Sequence, residues 1–433
     1  MADSTERLDH PARTLVLDEL HARTAPRVRP PALVLHLALS PADEPATRDR
    51  SQDVRQLRAL AGPDTNVPDG ARHVRFQRDG WDVTWESHTE FASYTAVFAG
   101  GDPLRTSPRT AYPEGWEATD PGARVAAVAV AVLPMPDSPT TVLETARGWL
   151  EPERMVISRV VGGACVLAGD FVADADGFTR FMLFVPDEIG PGRTGRTVQR
   201  VVELETYRSL AMLGFAGSQE LGARLTTLDP KLSRLVSQLD EPEQPGEELL
   251  HELLSVSAEL EGYAMAHDFR FGATGAYAAI VEDRVAGLAE ERFEGRLTLR
   301  EFLARRYAPA IRTVTSLEAR LGRMIERSGR AADLLRTKVD VERRAQNQAL
   351  LRDMDARAER QAQLQHTVEG LSVMAMTYYA IGLLGYLLAP VIEETGLSKV
   401  WVMAALVPLV LLTAWLGLRF MRARVHRSLD REH

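Results

Sequence analysis

Three groups of residues in this amino-acid sequence have the types and spacing to do chemistry. The stretch DELHAR puts Asp18, Glu19, His21 and Arg23 within about one and a half turns of a helix. The stretch ESHTEF puts Glu86, His88 and Glu90 at alternate positions, on one face if the segment is a strand. Two carboxylates and an imidazole on one face could bind a divalent cation or work as acid and base. An ordinary salt-bridged face uses the same residue types, and a pairing such as Arg23 with Glu90 would make both clusters structural. We expect His21 and His88 not to meet in one cleft. The third group is Tyr378, Tyr379, Gly382, Gly385 and Tyr386 in a charge-free run, followed by Glu393 and Glu394. Small residues let helices approach closely and hydroxyls bond between helices. That stripe could pack a helix pair or line a pore, and the two glutamates could draw cations to its mouth.

Much other chemistry is excluded. Cys165 is the only cysteine of 433 residues, which leaves no disulfide scaffold, Cys-ligated zinc or iron–sulfur cluster. Its valine-rich surroundings suggest a core residue. Of the 51 basic residues only Lys231, Lys338 and Lys399 are lysines, so lysine-dependent mechanisms have few candidates. A net charge of −9 argues against a nucleic-acid partner. HELLS at 251–255 lacks the second histidine of a helical zinc site. GPGRTGRT at 190–197 has the glycines of a phosphate loop, but Arg196 stands where the lysine belongs, so it reads as a loop and helix start without a nucleotide. No serine elbow and no dinucleotide fingerprint occurs. The sequence therefore assigns no catalytic residue and no cofactor, and does not point to an enzyme. A divalent cation is the one ligand its clusters suit.

The elements that must position these groups are legible from periodicity. Strand patterns cover 32–39, 71–78, 81–88, 92–99, 124–133, 155–161, 165–173 and 179–185. Val74, Phe76, Val83 and Trp85 alternate with polar neighbours, and Gly80 joins the two runs as a hairpin. A short helix is expected over 11–22, and Pro/Gly-rich loops over 62–70 and 100–122. From Thr197 the pattern is helical, with turns near 214–217, at Asp229-Pro230 and in the acidic linker DEPEQPGEE. Adjacent strands before a helical block predict an α+β fold with a largely antiparallel sheet. From Ser316 a long helix carries a stripe through Leu317, Leu321, Met324, Ala331, Leu335 and Val339. The stripe resumes at Leu350, Met354, Ala358, Leu364 and Val368, with Gln361 its polar exception. It must be covered by copies of itself, the preferred expectation, or by the helices of 198–295.

Residues 371–392 and 400–418 carry no charge, and a bilayer core needs roughly 20 apolar residues in a helix. Pro390 and Pro408 are tolerated in spanning helices, and Trp401 and Trp415 suit the two interfaces. Arg352, Arg357 and Arg360 precede the pair; Arg419, Arg422, Arg424, Arg427 and Arg431 follow it. Positive charge stays inside, so a membrane hairpin with both termini cytoplasmic is expected. The opening residues show no secretory signal. The predicted organisation is a cytoplasmic α/β domain (1–190), a helical segment (191–298), a stalk helix (299–370), two spans (371–418) and a basic tail (419–433).

HPARTLVLDELHART, WESHTEFASYT, ELETYRSLAMLGF, LLRTKVDVERRAQNQALL and LQHTVEGLSVMAMTYYAIGLLGYL occur in this order along the chain. Together they resemble the bacterial predicted membrane-anchored protein family, domain of unknown function 3422. The family's proline after HAR is Thr24 here. The resemblance implies the helical-hairpin membrane ending and no particular chemistry. The order of α/β domain, stalk, two spans, short outer link and basic tail is also similar to CorA-type magnesium channels. Those are pentamers whose first span lines the pore and ends in Gly-Met-Asn, where this chain has Gly385-Tyr386-Leu387. Three functions follow as expectations. The first is a CorA-like homo-oligomer in the lipid bilayer that moves or senses divalent cations. The second is a membrane-tethered scaffold or regulator. The third is an anchored enzyme using Glu19, His21, Arg23, Glu86, His88 and Glu90.

Overall fold

The structure is a computed structural model that describes residues 10, 13, 24–41, 48–117, 122–240, 246–395 and 398–429, with backbone only at 240, 391–395, 418 and 421–429. Two compact bodies follow one another along the chain, Met1–Asp333 and Leu334–His433.

The first body is built on a nine-stranded sheet. Its strands are β1 (Ala32–Pro41), β2 (His73–Arg78), β3 (Trp81–Ser87), β4 (Ala92–Ala99), β5 (Gly122–Pro134), β6 (Val156–Val160), β7 (Cys165–Ala173), β8 (Thr179–Val185) and β9 (Glu291–Arg292). The spatial order is β2-β3-β4-β1-β5-β8-β7-β6-β9. Only β5 and β8 run parallel, so the expected α+β fold with a largely antiparallel sheet is the one observed. All eight strands expected from alternation are present; β9, two residues long, is too short to show a period. Asp79 and Gly80 turn the β2–β3 hairpin with φ of 51° and 82°, the left-handed pair that matches strand twist.

Each sheet face has its own core. On one face Leu33, Leu35 and Leu37 of β1 join Trp85 and Tyr94 under α1 (Arg50–Ala61) and the loop residues Tyr112 and Trp116. On the other, Val34, Val128 and Val130 meet α3 (Pro191–Ser237) through Val198, Val201 and Val202. A third cluster covers the far end of the sheet with α2 (Pro139–Arg147). Period-two alternation in β5 places alanines toward one layer and valines toward the other, so the central strand is buried on both faces.

α3 continues unbroken through 214–217 and Pro230, where the sequence suggests turns. The glycine at 214 serves close approach. A Cβ there would lie 2.0 Å from Thr274 Oγ1 on α4 (Gly246–Gly287), which packs antiparallel to α3. Pro230 and Thr226, whose carbonyl loses its helical donor, are both exposed, so water can satisfy that oxygen. Gly214→Ala is expected to destabilise the body by about 1–3 kcal/mol through overpacking. Denaturant unfolding checks it: a shift within about 0.5 kcal/mol, typical of surface changes, would show that the seam has slack.

After α5 (Leu299–Arg306), capped by the reciprocal Thr298–Glu301 pair, the chain enters α6 (Ala308–Thr395). The start of α6 lies along α3: Arg320 Nη2 is 3.0 Å from Asp229 and Arg327 Nη1 3.1 Å from Ser233. Leu321, Met324 and Ala331 are buried. This half of the stripe is covered within the chain, against the preferred expectation that copies cover it, because α3 runs beside it. Leu335 and Val339 are buried too.

In the second body the remainder of α6 meets α7 (Lys399–Leu429). Here Leu350, Met354, Leu364 and Val368 are 58–68% exposed, so this part of the stripe has no cover in the single chain.

Candidate functional site

Asp18, Glu19, His21 and Arg23 lie outside the described residues, as does the helix expected over 11–22. The ESHTEF residues do not share a strand face as expected. β3 ends at Ser87 and β4 begins at Ala92, so His88 follows the strand and Glu90 lies in the bend. The His88 N–H closes the bend on the Phe91 carbonyl at 2.9 Å, and Arg48, whose side chain is almost wholly buried, braces it. The Arg48 guanidinium donates to the carbonyls of His88 (2.5 Å) and Thr89 (3.2 Å) and pairs with Asp53 at 2.8 Å. Carbonyls turned to Arg48 cannot continue a ladder, and the side chains diverge. Glu90 points to α4, where Arg270 Nη1 lies 2.9 Å from one carboxylate oxygen and the Tyr277 hydroxyl donates to the other at 2.6 Å. Arg270 is thus a described partner of Glu90. Burial, then the bond to Glu90, pushes the Tyr277 phenol well above its ordinary range.

Glu86 and His88 do converge, with partners that no local motif announces. They line a cavity of about 260 Å³ between the β3–β4–β1 part of the sheet and helices α3 and α4. His36 of β1, Ser93 of β4, Glu203 of α3 and Arg284 of α4 also face it. The His88 ring stacks on Phe91 at 4.1 Å, with Nε2 3.2 Å from Ser93 Oγ and 3.8 Å from Glu86 Oε2. Glu203 accepts from Gln199 at 2.8 Å and pairs with Arg284.

His36 was not singled out by sequence. The β1–β4 register sets it opposite Thr95, whose hydroxyl is 2.8 Å from Nδ1. Its Nε2 is buried without a hydrogen-bond partner among the described residues. Burial pushes the imidazole down to about 3, so it is neutral at physiological pH. The only clue in the sequence is a histidine inside an otherwise apolar strand, VLHLAL. The cavity offers a neutral imidazole nitrogen, a second imidazole beside a carboxylate, and a carboxylate–guanidinium pair. Such a site can hold a small polar molecule that both donates and accepts. Among the described residues, no three His, Cys, Asp or Glu side chains are grouped to hold a metal ion.

GPGRTGRT is the helix start the sequence suggests: Gly190 caps α3, which begins at Pro191, and the rest of the stretch is helical instead of a loop. A Cβ on Gly195 would lie 1.6 Å from the Pro26 carbonyl oxygen, so that glycine permits a backbone crossing. Cys165 is buried in β7, and burial pushes its thiol up to about 11.

Two helices, the end of α6 and α7, are long and apolar enough to cross a membrane. The named residues of the first separate by face. Gly385 faces α7, where a Cβ would lie 3.4 Å from Met403 Sδ. Tyr378, Tyr379 and Tyr386 are 69–84% exposed, and a Cβ on Gly382 would meet no atom within 4 Å. Glu393 and Glu394 lie in the last turns of α6, where only backbone is described.

None of the curated proteins compared with the chain matches it. The model of the family described as Protein of unknown function (DUF3422) matches residues 8–425, so the chain belongs to that family.

Proposed function

We propose that the chain is a CorA-like, homo-oligomeric two-span protein of the bacterial inner membrane, with both termini cytoplasmic, that moves or senses divalent cations. One observation carries this reading. Leu350, Met354, Leu364, Val368, Leu371, Tyr378 and Tyr386 are all exposed on α6. Ten turns of about 3.6 residues separate Leu350 from Tyr386, and the others fall between them on the same side. The uncovered stripe and the exposed tyrosines are therefore one continuous side of α6, with Tyr378 at its edge next to the α7 seam at Gly385. A face running from a water-soluble segment into an apolar span needs a single kind of cover, and further copies of α6 supply it. Copies so arranged would put first spans inside and second spans outside. The arginines flanking the hairpin favour the orientation.

Mass measurement of the full chain in detergent, with magnesium uptake into proteoliposomes, tests the reading. The expected result is a closed oligomer that Leu364→Glu dissociates and uptake that depends on the protein. A wild-type monomer overturns it, and an oligomer without uptake removes transport and leaves sensing. The His36 cavity favours a second reading, a membrane-tethered regulator that responds to a small ligand.

A further inference from the structure

A second cavity, of about 610 Å³, opens between β6, β7, α3 and α5 and shares no residue with the His36 cavity. Four arginines line it: Arg154, Arg208, Arg305 and Arg306. Arg208 is held by Glu205 through two bonds of 2.6 and 2.7 Å. The other three guanidiniums are exposed and make no hydrogen bond or ion pair among the described residues. Of the two lining carboxylates, Asp170 is already committed, accepting from the backbone of Glu151 and Val172 with Arg180 at 3.8 Å. Glu153 lies exposed at the rim. The cavity thus holds more positive than negative charge, and arginine forks match phosphate oxygens.

Beside the arginines the lining is aromatic, and Arg208 itself lies over the Phe171 ring, 5.6 Å from its centroid, which leaves Phe302 as the ring open to the cavity. Phe171 and Phe302 stack with ring centroids 4.8 Å apart and planes 11° apart. Phe171 has φ of 54°, in the left-handed region, where the β7–β8 ladder shifts register. A non-glycine residue there costs backbone energy, and such irregularities re-aim side chains beside functional sites. Tyr307 is 7% exposed, and its hydroxyl has no hydrogen-bond partner among the described residues. An orphaned buried hydroxyl lacks a compensating bond, which a ligand oxygen would restore.

We propose that this cavity binds a ligand of the nucleotide class, with a flat ring against Phe302, phosphate among the arginines, and the Tyr307 hydroxyl donating to a ligand oxygen. The volume suits a molecule of that size. The proposal does not depend on oligomeric state, so its failure and that of the membrane reading are distinguishable.

Calorimetric titration of the full chain in detergent with ATP, AMP and inorganic phosphate, each alone, tests it. At least one nucleotide is expected to bind once per protomer, more weakly as salt rises. Arg305→Ala with Arg306→Ala should weaken binding about tenfold or more, and Tyr307→Phe several-fold. The arginines are exposed and the tyrosine change keeps the ring, so unchanged melting temperatures are expected for all three. Absence of nucleotide binding at millimolar concentration overturns the proposal. So do variants that bind like wild type, or inorganic phosphate binding as tightly as either nucleotide.

Discussion

Glu90→Ala is expected to destabilise the sheet-bearing body by about 3–5 kcal/mol, the cost of leaving a buried charge without its partner. The Glu90 side chain is 5% exposed and that of Arg270 20%. Both carboxylate oxygens are used, one by Arg270 and one by Tyr277, and Ser40 donates to the backbone carbonyl of the same residue at 2.8 Å. Truncation strands a guanidinium and a phenol together between the β3–β4 connection and α4. The partial exposure of Arg270 lets water relieve some of the cost, which favours the lower end of the range. Glu90→Gln keeps an acceptor for Tyr277 and the shape of the side chain, so it should cost less, about 1–2 kcal/mol. Denaturant unfolding of the full chain in detergent, followed by near-ultraviolet circular dichroism, measures both. A Glu90→Ala change within about 0.5 kcal/mol of wild type would mean that Glu90 is not a structural anchor.

His36 should make stability fall in mild acid. The unfolded imidazole takes a proton below its ordinary value of 6.5, whereas the folded one resists until about 3. Between those values the unfolded state binds one more proton, so unfolding free energy rises with pH there. The stabilisation is fully present above 6.5 and is lost as pH falls toward 3, at about 1.4 kcal/mol per pH unit near the middle of the window. Above 6.5 both states are neutral and His36 adds no slope. His36→Gln keeps a polar partner for Thr95 but cannot titrate. Its curve of unfolding free energy against pH should be flatter than wild type in that window by one proton, and parallel above it. Parallel curves throughout would mean that the folded imidazole titrates normally.

The strands and the two helices long and apolar enough to cross a membrane are legible because both report their surroundings through local period and local apolarity. Val74, Phe76, Val83 and Trp85 face one core by alternation alone, and a charge-free run long enough to span needs no tertiary partner to be recognised. The helices α1 and α2 leave no clear period in the sequence because each is short and sits between turn-rich stretches. Only the caps Asp49 and Ser138-Pro139 marked them. The sequence suggests two breaks in α3, near 214–217 and at 229–230, because glycine and proline usually interrupt helices. In the fold, Gly214 is where Thr274 comes closest and Pro230 faces outward, so neither stops it.

Site composition needed the fold. Glu86 and His88 could be named from spacing, but the cavity they line exists only because one strand register sets His36 beside Thr95. Helices from more than a hundred residues later then add Glu203 and Arg284 across it. The same holds for Glu90, whose partner Arg270 is 180 residues away. Local pattern determines which face of an element is apolar. Which polar groups meet across two faces is a matter of register and helix packing, set by the whole core at once.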